Sequence, residues 1–463
     1  MRNSEHPPAD EPPAQRSPLA VAAMCAIGLA CVMFDQTSLV VAVATIGRDL
    51  DAGIAGLQWL SAIMPLVAAS TMPISGSLAA RYGARDTLRA GLLVFAVGAA
   101  CAACATSLPM LLAARIVQGF GAAMILPNGP AALGANVPSG QQRQRAVGYW
   151  LVMSSAGLIL GPLVGGVLVE ELGWRITFVV LVPFALIGAA VTSLLANTPR
   201  AAAGRLDVAG LVTSCLTLAT LSWALIETGR GSAPAAVVAG GYLLAAVLLF
   251  VFIRVERRAV NPVMDLKVLG SPLLRVLLPT VLLYNAIING SAFVLSIHLQ
   301  EGRGLSASTT GILLLIANLG MPLAGPVTTF LRRHARASTL LIAGLVLLTV
   351  VYLLLALGDV LGIGLLIVPL VALGLCAGVL YSIDTLTTLD AADGPDSGTA
   401  MAALALMRQV GSVLGIASLA SVGQIIVSTD VAARGEQATF VVSAVILVAM
   451  TALLAPRLRK LLP

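Results

Sequence analysis

Two ionisable residues stand deep inside long apolar stretches: Asp35 within 18–46 and Arg115 within 109–134. At 1.5 Å of rise per residue, Asp35 lies about 11 residues, roughly 16 Å, from the later end of its stretch. Arg115 lies about six residues, roughly 9 Å, inside the start of its own. Burial penalises the charged form of a carboxylic acid and so suits it to taking up and releasing a proton, while a neighbouring cation offsets that penalty. Ionisable groups at such depth in apolar helices mark functional sites by default. The plainer reading is an acid and a base that neutralise each other structurally.

Other polar groups fall on the same kind of stretch. Asn285 and Asn289 are one helical turn apart and share a face, so with Tyr284 they either line a cavity or bond a neighbouring helix. Asn318 is the one amide of the stretch 308–331. Asp384 ends a stretch and is expected in solvent, which leaves Asp35 as the one acid near the middle of an apolar stretch. Arg408 with Gln409 is expected to be structural, and Glu227 and His298 to be interfacial.

Enzyme chemistry finds no support. The two lysines, Lys267 and Lys460, are not followed by Ser or Thr, so no phosphate-cradling loop can form. His6, His298 and His334 are too far apart for a metal cluster. Cys101 and Cys104 have redox spacing but no second pair, and they read as small packing residues. No enzyme activity, cofactor or metal is expected.

The elements that must position these residues follow from composition. Of 463 residues, 58% are hydrophobic, 10% are charged and 4% are aromatic. So few charges would not cover a soluble domain, where about 25% is usual, and scarce aromatics disfavour a lipid-embedded barrel. A spanning helix needs about 20 apolar residues. Fourteen stretches qualify: 18–46, 56–80, 87–106, 109–134, 146–169, 174–195, 208–227, 236–254, 273–299, 308–331, 338–357, 361–385, 398–427 and 437–455. The longest connection, around 255–272, is too short for a soluble domain, so any function lies within an all-α membrane bundle. The first apolar run is too long for a cleavable signal, and the Pro-rich tail before it reads as cytoplasmic.

Charge sets the orientation. With the N-terminus inside, 20 of the 27 basic residues fall in the tails and inner loops, against five (Arg48, Arg175, Arg230, Arg303 and Arg434) in the outer loops. That bias places both termini in the cytoplasm. The inner loop over 386–397 breaks the pattern, with Asp390, Asp393 and Asp396 and no base.

Three motifs lie in order along the first helices. The loop after the second stretch holds Gly76, Leu78, Arg81, Gly83 and Arg85. The fourth stretch holds Arg115, Gln118, Gly119 and Gly121. The fifth holds Gly157, Gly161, Pro162, Gly165 and Gly166, with glycines at four-residue spacing that allow close helix contact. The first stretch adds Phe34, Asp35 and Thr37. With fourteen stretches, this set resembles the fourteen-helix drug:proton antiporter family of the major facilitator superfamily. The resemblance implies a proton-coupled exporter working by alternating access, with Asp35 and Arg115 in proton or substrate coupling and Phe34, Gln118, Tyr284, Asn285, Asn289 and Asn318 as cavity candidates. It also implies an antiporter motif at Gly157–Gly166 and a cytoplasmic gate loop around Gly76, Arg81, Gly83 and Arg85. The acid of that loop motif is Ala80 here, so the family's charge lock is missing or built differently. Gly157-x-x-x-Gly161 is echoed by Gly411-x-x-x-Gly415, as a two-fold internal repeat requires when the seventh and eighth stretches are an insertion.

The expected organisation is a tail over 1–17, a six-helix bundle over 18–195, a linker with two extra helices over 196–272, a second six-helix bundle over 273–456 and a basic tail over 457–463. The expected function is proton-driven multidrug or antibiotic efflux, with a small lipophilic cationic or neutral substrate, protons and the lipid bilayer as partners and no nucleic acid. A proton-coupled importer of a small metabolite and a non-transporting membrane sensor remain alternatives. Arg outnumbers Lys 25 to 2, which points to a GC-rich bacterial genome and a bacterial cytoplasmic membrane.

Overall fold

The computed structural model describes residues 17–138, 141–198, 207–259, 270–357, 363–391, 396–427 and 435–461. Residues 1–16 of the expected N-terminal tail, 199–206 and 260–269 of the linker, the latter including Lys267, and Asp393 and Arg434 lie outside them. The described residues form fourteen α-helices: α1 (Pro18–Asp49), α2 (Ile54–Tyr82), α3 (Ala84–Ala103), α4 (Leu108–Asn136), α5 (Gln141–Leu172), α6 (Arg175–Thr192), α7 (Val208–Arg230), α8 (Ala235–Glu256), α9 (Pro272–Ile297), α10 (Ala307–Arg332), α11 (Ala337–Ala356), α12 (Ile363–Ala391), α13 (Asp396–Val427) and α14 (Gly435–Leu461). A π-helical turn over His298–Gly302 extends α9. All fourteen helices are long and apolar enough to cross a membrane.

Helix starts follow local chemistry. Ser17 Oγ accepts from the Ala20 N–H ahead of Pro18, and Ser271 does the same for Leu274 ahead of Pro272. These are side-chain caps with proline in the first turn, where its missing N–H costs nothing. Several helices outrun the apolar stretches that predict them: α12 continues to Ala391 and α13 begins at Asp396. Polar residues continue a helix once its apolar face is anchored.

Helices α1–α6 pack among themselves, chiefly α1 on α5 and α3 on α4 and α6. Helices α9–α14 form a second group, with α9 on α13, α10 on α12 and α11 on α14. The groups join through α5 with α10 and α2 with α13. Helix α7 lies against α2, α13 and α8, while α8 buries only Gly241, Ala245 and Glu256. Cys101 and Cys104 are exposed rather than packed, because the apolar surroundings of their helix end do not enclose them.

We call the side where α1 begins the near face and the other the far face. Hydrogen bonds between the two groups cluster in the far half. Gln58 Nε2, at the start of α2, donates to Ala417 O at 3.1 Å and Ser421 Oγ at 3.2 Å in α13. Gln300 Nε2 donates to Val41 O at 2.9 Å, and Ser308 N to Glu170 Oε2 at 2.9 Å. Toward the near face, residues 405–410 of α13 each keep partial exposure, and a Cβ at Gly134, Gly148 or Gly325 would meet nothing within 4 Å. Among the described residues, side-chain hydrogen bonds between the two groups are thus concentrated in the far half.

Candidate functional site

Asp35 and Arg115 are brought together. Arg115 Nη1 donates to Asp35 Oδ1 at 2.7 Å and Oδ2 at 2.6 Å, and both side chains are only 1% exposed. Gln118, one turn after Arg115 in α4, donates from Nε2 to Asp35 Oδ1 at 3.2 Å and accepts from Arg115 Nη1 at 3.0 Å. The spacing of Arg115 and Gln118 puts both on the α4 face that meets α1. The guanidinium also stands 5.9 Å from the Phe178 ring centre, an attraction between a cation and the ring's negative face. Arg115 Nε has no hydrogen-bond partner among the described residues. Because α1 runs on to Asp49, Asp35 lies about 21 Å from the far end of its helix, deeper than the shorter stretch implies.

The glycines of α5 build the wall behind this acid. A Cβ at Gly157 would collide with Ala30 O, one at Gly161 would stand 3.0 Å from Phe34 O, and one at Gly165 would stand 2.7 Å from Ser38 Cβ. Gly166 turns to α10, where a Cβ would approach Ala307 O at 2.8 Å. The echo holds in packing: Gly411 and Gly415 of α13 back onto Leu282 O and Ala286 O of α9, as Gly157 and Gly161 of α5 back onto α1.

The loop after α2 is held by hydrogen bonds that the motif does not contain. Gly83 has φ +92°, and a Cβ there would clash with Asn197. Asn197 Nδ2 donates to Tyr82 O at 2.7 Å and Asp86 Oδ2 at 2.8 Å. Arg85 Nε pairs with Asp86 Oδ1 at 2.8 Å and Nη1 reaches Leu195 O at 3.1 Å, just past the end of α6. With Ala80 in the acid's place, Asp86 and Asn197 supply the polar partners. The expected loop is shorter than the motif: Gly76 and Arg81 lie within α2 and Arg85 within α3, so Gly83 alone joins the helices, because the polar residues continue both helices past their apolar stretches. Gly76 sits in open space, and Arg81 lies 5.4 Å from the Tyr82 ring centre.

The cavity candidates fare differently. Phe34 is partly buried. Asn285 Nδ2 donates to Val281 O and Asn289 Nδ2 to Asn285 O, each at 2.9 Å, so both amides bond back to their own helix. Tyr284 points elsewhere: it is buried and donates to Asp384 Oδ2.

Asp384 corrects the expectation of a solvated acid. It is 0% exposed and pairs with Arg408 Nη2. The cause is that α12 runs past the apolar stretch, so Asp384 is not at its end. Asp35 is therefore not the one deep acid. Glu227 is also enclosed, accepting from Ala233 N at 2.8 Å across the α7–α8 turn. Gln58, 0% exposed, carries no sequence signal, since its bonds depend on a helix more than 350 residues away.

Residues 25–416 match the sequence profile of the Major Facilitator Superfamily. The chain is 31% identical to a methylenomycin A resistance protein of Streptomyces coelicolor, over 85% of this chain and 83% of that protein. It is 29% identical to the multidrug resistance protein Stp of Mycobacterium tuberculosis, over 86% and 74%, and 29% identical to the multidrug efflux pump LfrA of Mycolicibacterium smegmatis, over 86% and 80%. Among solved structures, a peptide transporter POT bound to sulfate superposes with a TM-score of 0.73 at 14% identity, over 97% of both chains. The human organic anion transporter MFSD10 superposes with a TM-score of 0.64 at 18% identity, over 96% of this chain and 100% of that one. Sequence match, fourteen spanning helices and the superposed fold agree: the chain belongs to the Major Facilitator Superfamily.

Proposed function

We propose that the protein is a proton-driven exporter of small lipophilic compounds in the cytoplasmic membrane of a bacterium. The observation that carries this reading is the Asp35 carboxylate, 1% exposed, held by Arg115 and Gln118 beside the glycine face of α5. A carboxylate so placed can exchange its Arg115 partner for a proton, and its negative charge favours cationic or neutral substrates over anions. The resistance and efflux relatives support the direction of transport. The two helix groups, taken as 18–195 and 273–456, rock about the far-face contacts, and 196–272 links them. The near face corresponds to the cytoplasm on the charge bias, with both termini there. In this arrangement the cleft between the groups receives substrate from the cytoplasmic side.

The test uses everted membrane vesicles that contain the full chain. Adding ethidium to energised vesicles should collapse part of the pH gradient and accumulate ethidium inside. A gradient that stays intact across a panel of cationic and neutral compounds overturns the reading.

A further inference from the structure

We infer that Asp384 is a second proton-binding site, in the second helix group, and that its proton and a cationic substrate exclude each other. The inference rests on the proton-exchange reading above and extends it from one carboxylate to two.

Three helices converge on this carboxylate. From α9, Tyr284 donates to Oδ2; from α13, Arg408 donates to Oδ1; from α12 itself, Thr385 Oγ1 donates to Oδ1 at 3.2 Å. Arg408 Nη2 also reaches Thr385 Oγ1 at 2.8 Å and Tyr381 O at 3.2 Å, and its guanidinium carbon lies 3.4 Å from the Tyr381 ring centre. The titratable groups facing Asp384 are thus Tyr284, Arg408 and Tyr381. Helix α10 presents Ala317, Gly320, Met321 and Ala324 to α12, none of them titratable. The buried tyrosine of α11, Tyr352, is directed to Ile287 O.

A buried ion pair is a poor way to gain stability, since apolar residues of similar volume often serve as well or better. Its property that apolar residues lack is a change of charge. Asp384 is wholly enclosed, but Arg408 keeps 13% side-chain exposure and Tyr381 is 41% exposed. They give the carboxylate a short polar route outward. The neighbouring turns of α13, 405–410, also stay partly open. When a proton from water adds to the Asp384 carboxylate, the acid becomes neutral and Arg408 keeps its charge. The cluster then goes from net zero to net positive in the near half of the second group, and a cation approaching it is repelled. When the proton leaves to water, the pair reforms and the repulsion ends. Asp35 and Arg115 undergo the same change in the first group.

Infrared difference spectra of the purified full-length protein between neutral and acidic pH test the site without any transport. Protonated carboxyl bands should appear in the wild type and lose one component in Asp384→Asn and a different one in Asp35→Asn. Tyr284→Phe, which keeps the packing, should shift the Asp384 component by removing its hydrogen bond. Ethidium binding, measured in the same samples, should weaken in Asp384→Asn, which leaves Arg408 uncompensated as in the protonated cluster. An unchanged band in Asp384→Asn, no shift in Tyr284→Phe, or undiminished ethidium binding in Asp384→Asn overturns the inference. These outcomes differ from failure of the exporter reading, which would show as intact pH gradients in wild-type vesicles.

Discussion

Asn318 Nδ2 of α10 lies 3.4 Å from Leu158 O of α5, where it donates to a carbonyl in the other helix group. Pro162 follows four residues later and has no N–H to give that carbonyl. The proline that interrupts α5 thus leaves an acceptor, and the one amide of α10 uses it at the contact between the groups. Asn318 is therefore better described as a contact between helices than as a cavity residue.

This relationship predicts non-additive variants. Asn318→Ala should remove the donor, and Pro162→Ala should return the carbonyl to its own helix. Each should slow exchange about fivefold if one hydrogen bond contributes about 1 kcal/mol at this contact. The double variant should be no slower than either single one, because both act on one bond. Transport per folded molecule measures this, and losses that simply multiply would show that the two residues act separately.

Asp35→Asn should abolish proton-driven export while the protein still inserts. It should also lower thermal stability, because Arg115 is left as a buried charge without its counter-charge, a situation that costs about 3–5 kcal/mol. The double variant Asp35→Asn with Arg115→Gln should recover much of that stability and none of the export. Melting temperature and ethidium efflux, measured on the same preparations, separate the two effects. Full export in Asp35→Asn would remove the acid from the mechanism.

The count of helices, their order and the Asp35–Arg115 pairing were legible in the sequence because each depends on local pattern. Twenty apolar residues make a span wherever they fall, and an isolated charge in one demands a partner. Arg115 and Gln118 share a face by spacing alone. The Asp384 cluster was not legible, since Tyr284, Asp384 and Arg408 come from three helices and Asp384 stands where the apolar pattern fades. The far-face bonds of Gln58 and Gln300 were equally hidden. An amide in a polar helix end looks the same whether it meets water or another helix.

Asn197 should prove to be the clamp of the α2–α3 loop. It bonds Tyr82 O and Asp86, and its Oδ1 accepts from Arg85 N at 3.2 Å. Asn197→Ala would leave those groups to find water, at about 1–3 kcal/mol for a group left unsatisfied. Limited trypsin digestion should then cut faster after the exposed Arg81 than in the wild type. Equal cleavage rates would mean that the Arg85–Asp86 pair holds the loop without Asn197.

Two of the three glycines that face α1, Gly157 and Gly161, should respond differently to a methyl group. At Gly157 the first obstacle is the Ala30 carbonyl, which is backbone and moves only if α1 moves. At Gly161 it is the Thr37 hydroxyl, a side chain, although Phe34 O stands close behind at 3.0 Å. Thr37 Oγ1 bonds Met33 O at 2.8 Å within α1 and reaches Gly157 O of α5 only at 3.5 Å, so removing it gives up one long contact between the helices. Gly161→Ala should therefore impair exchange, and Thr37→Ala in the same chain should restore part of it by clearing the space. Gly157→Ala should impair exchange more, and Thr37→Ala should leave that loss unchanged. If this face only packs a static bundle, both glycine variants would lose folded protein but keep normal turnover per folded molecule. Measuring turnover against folded protein in all four variants decides between sliding contact and static packing.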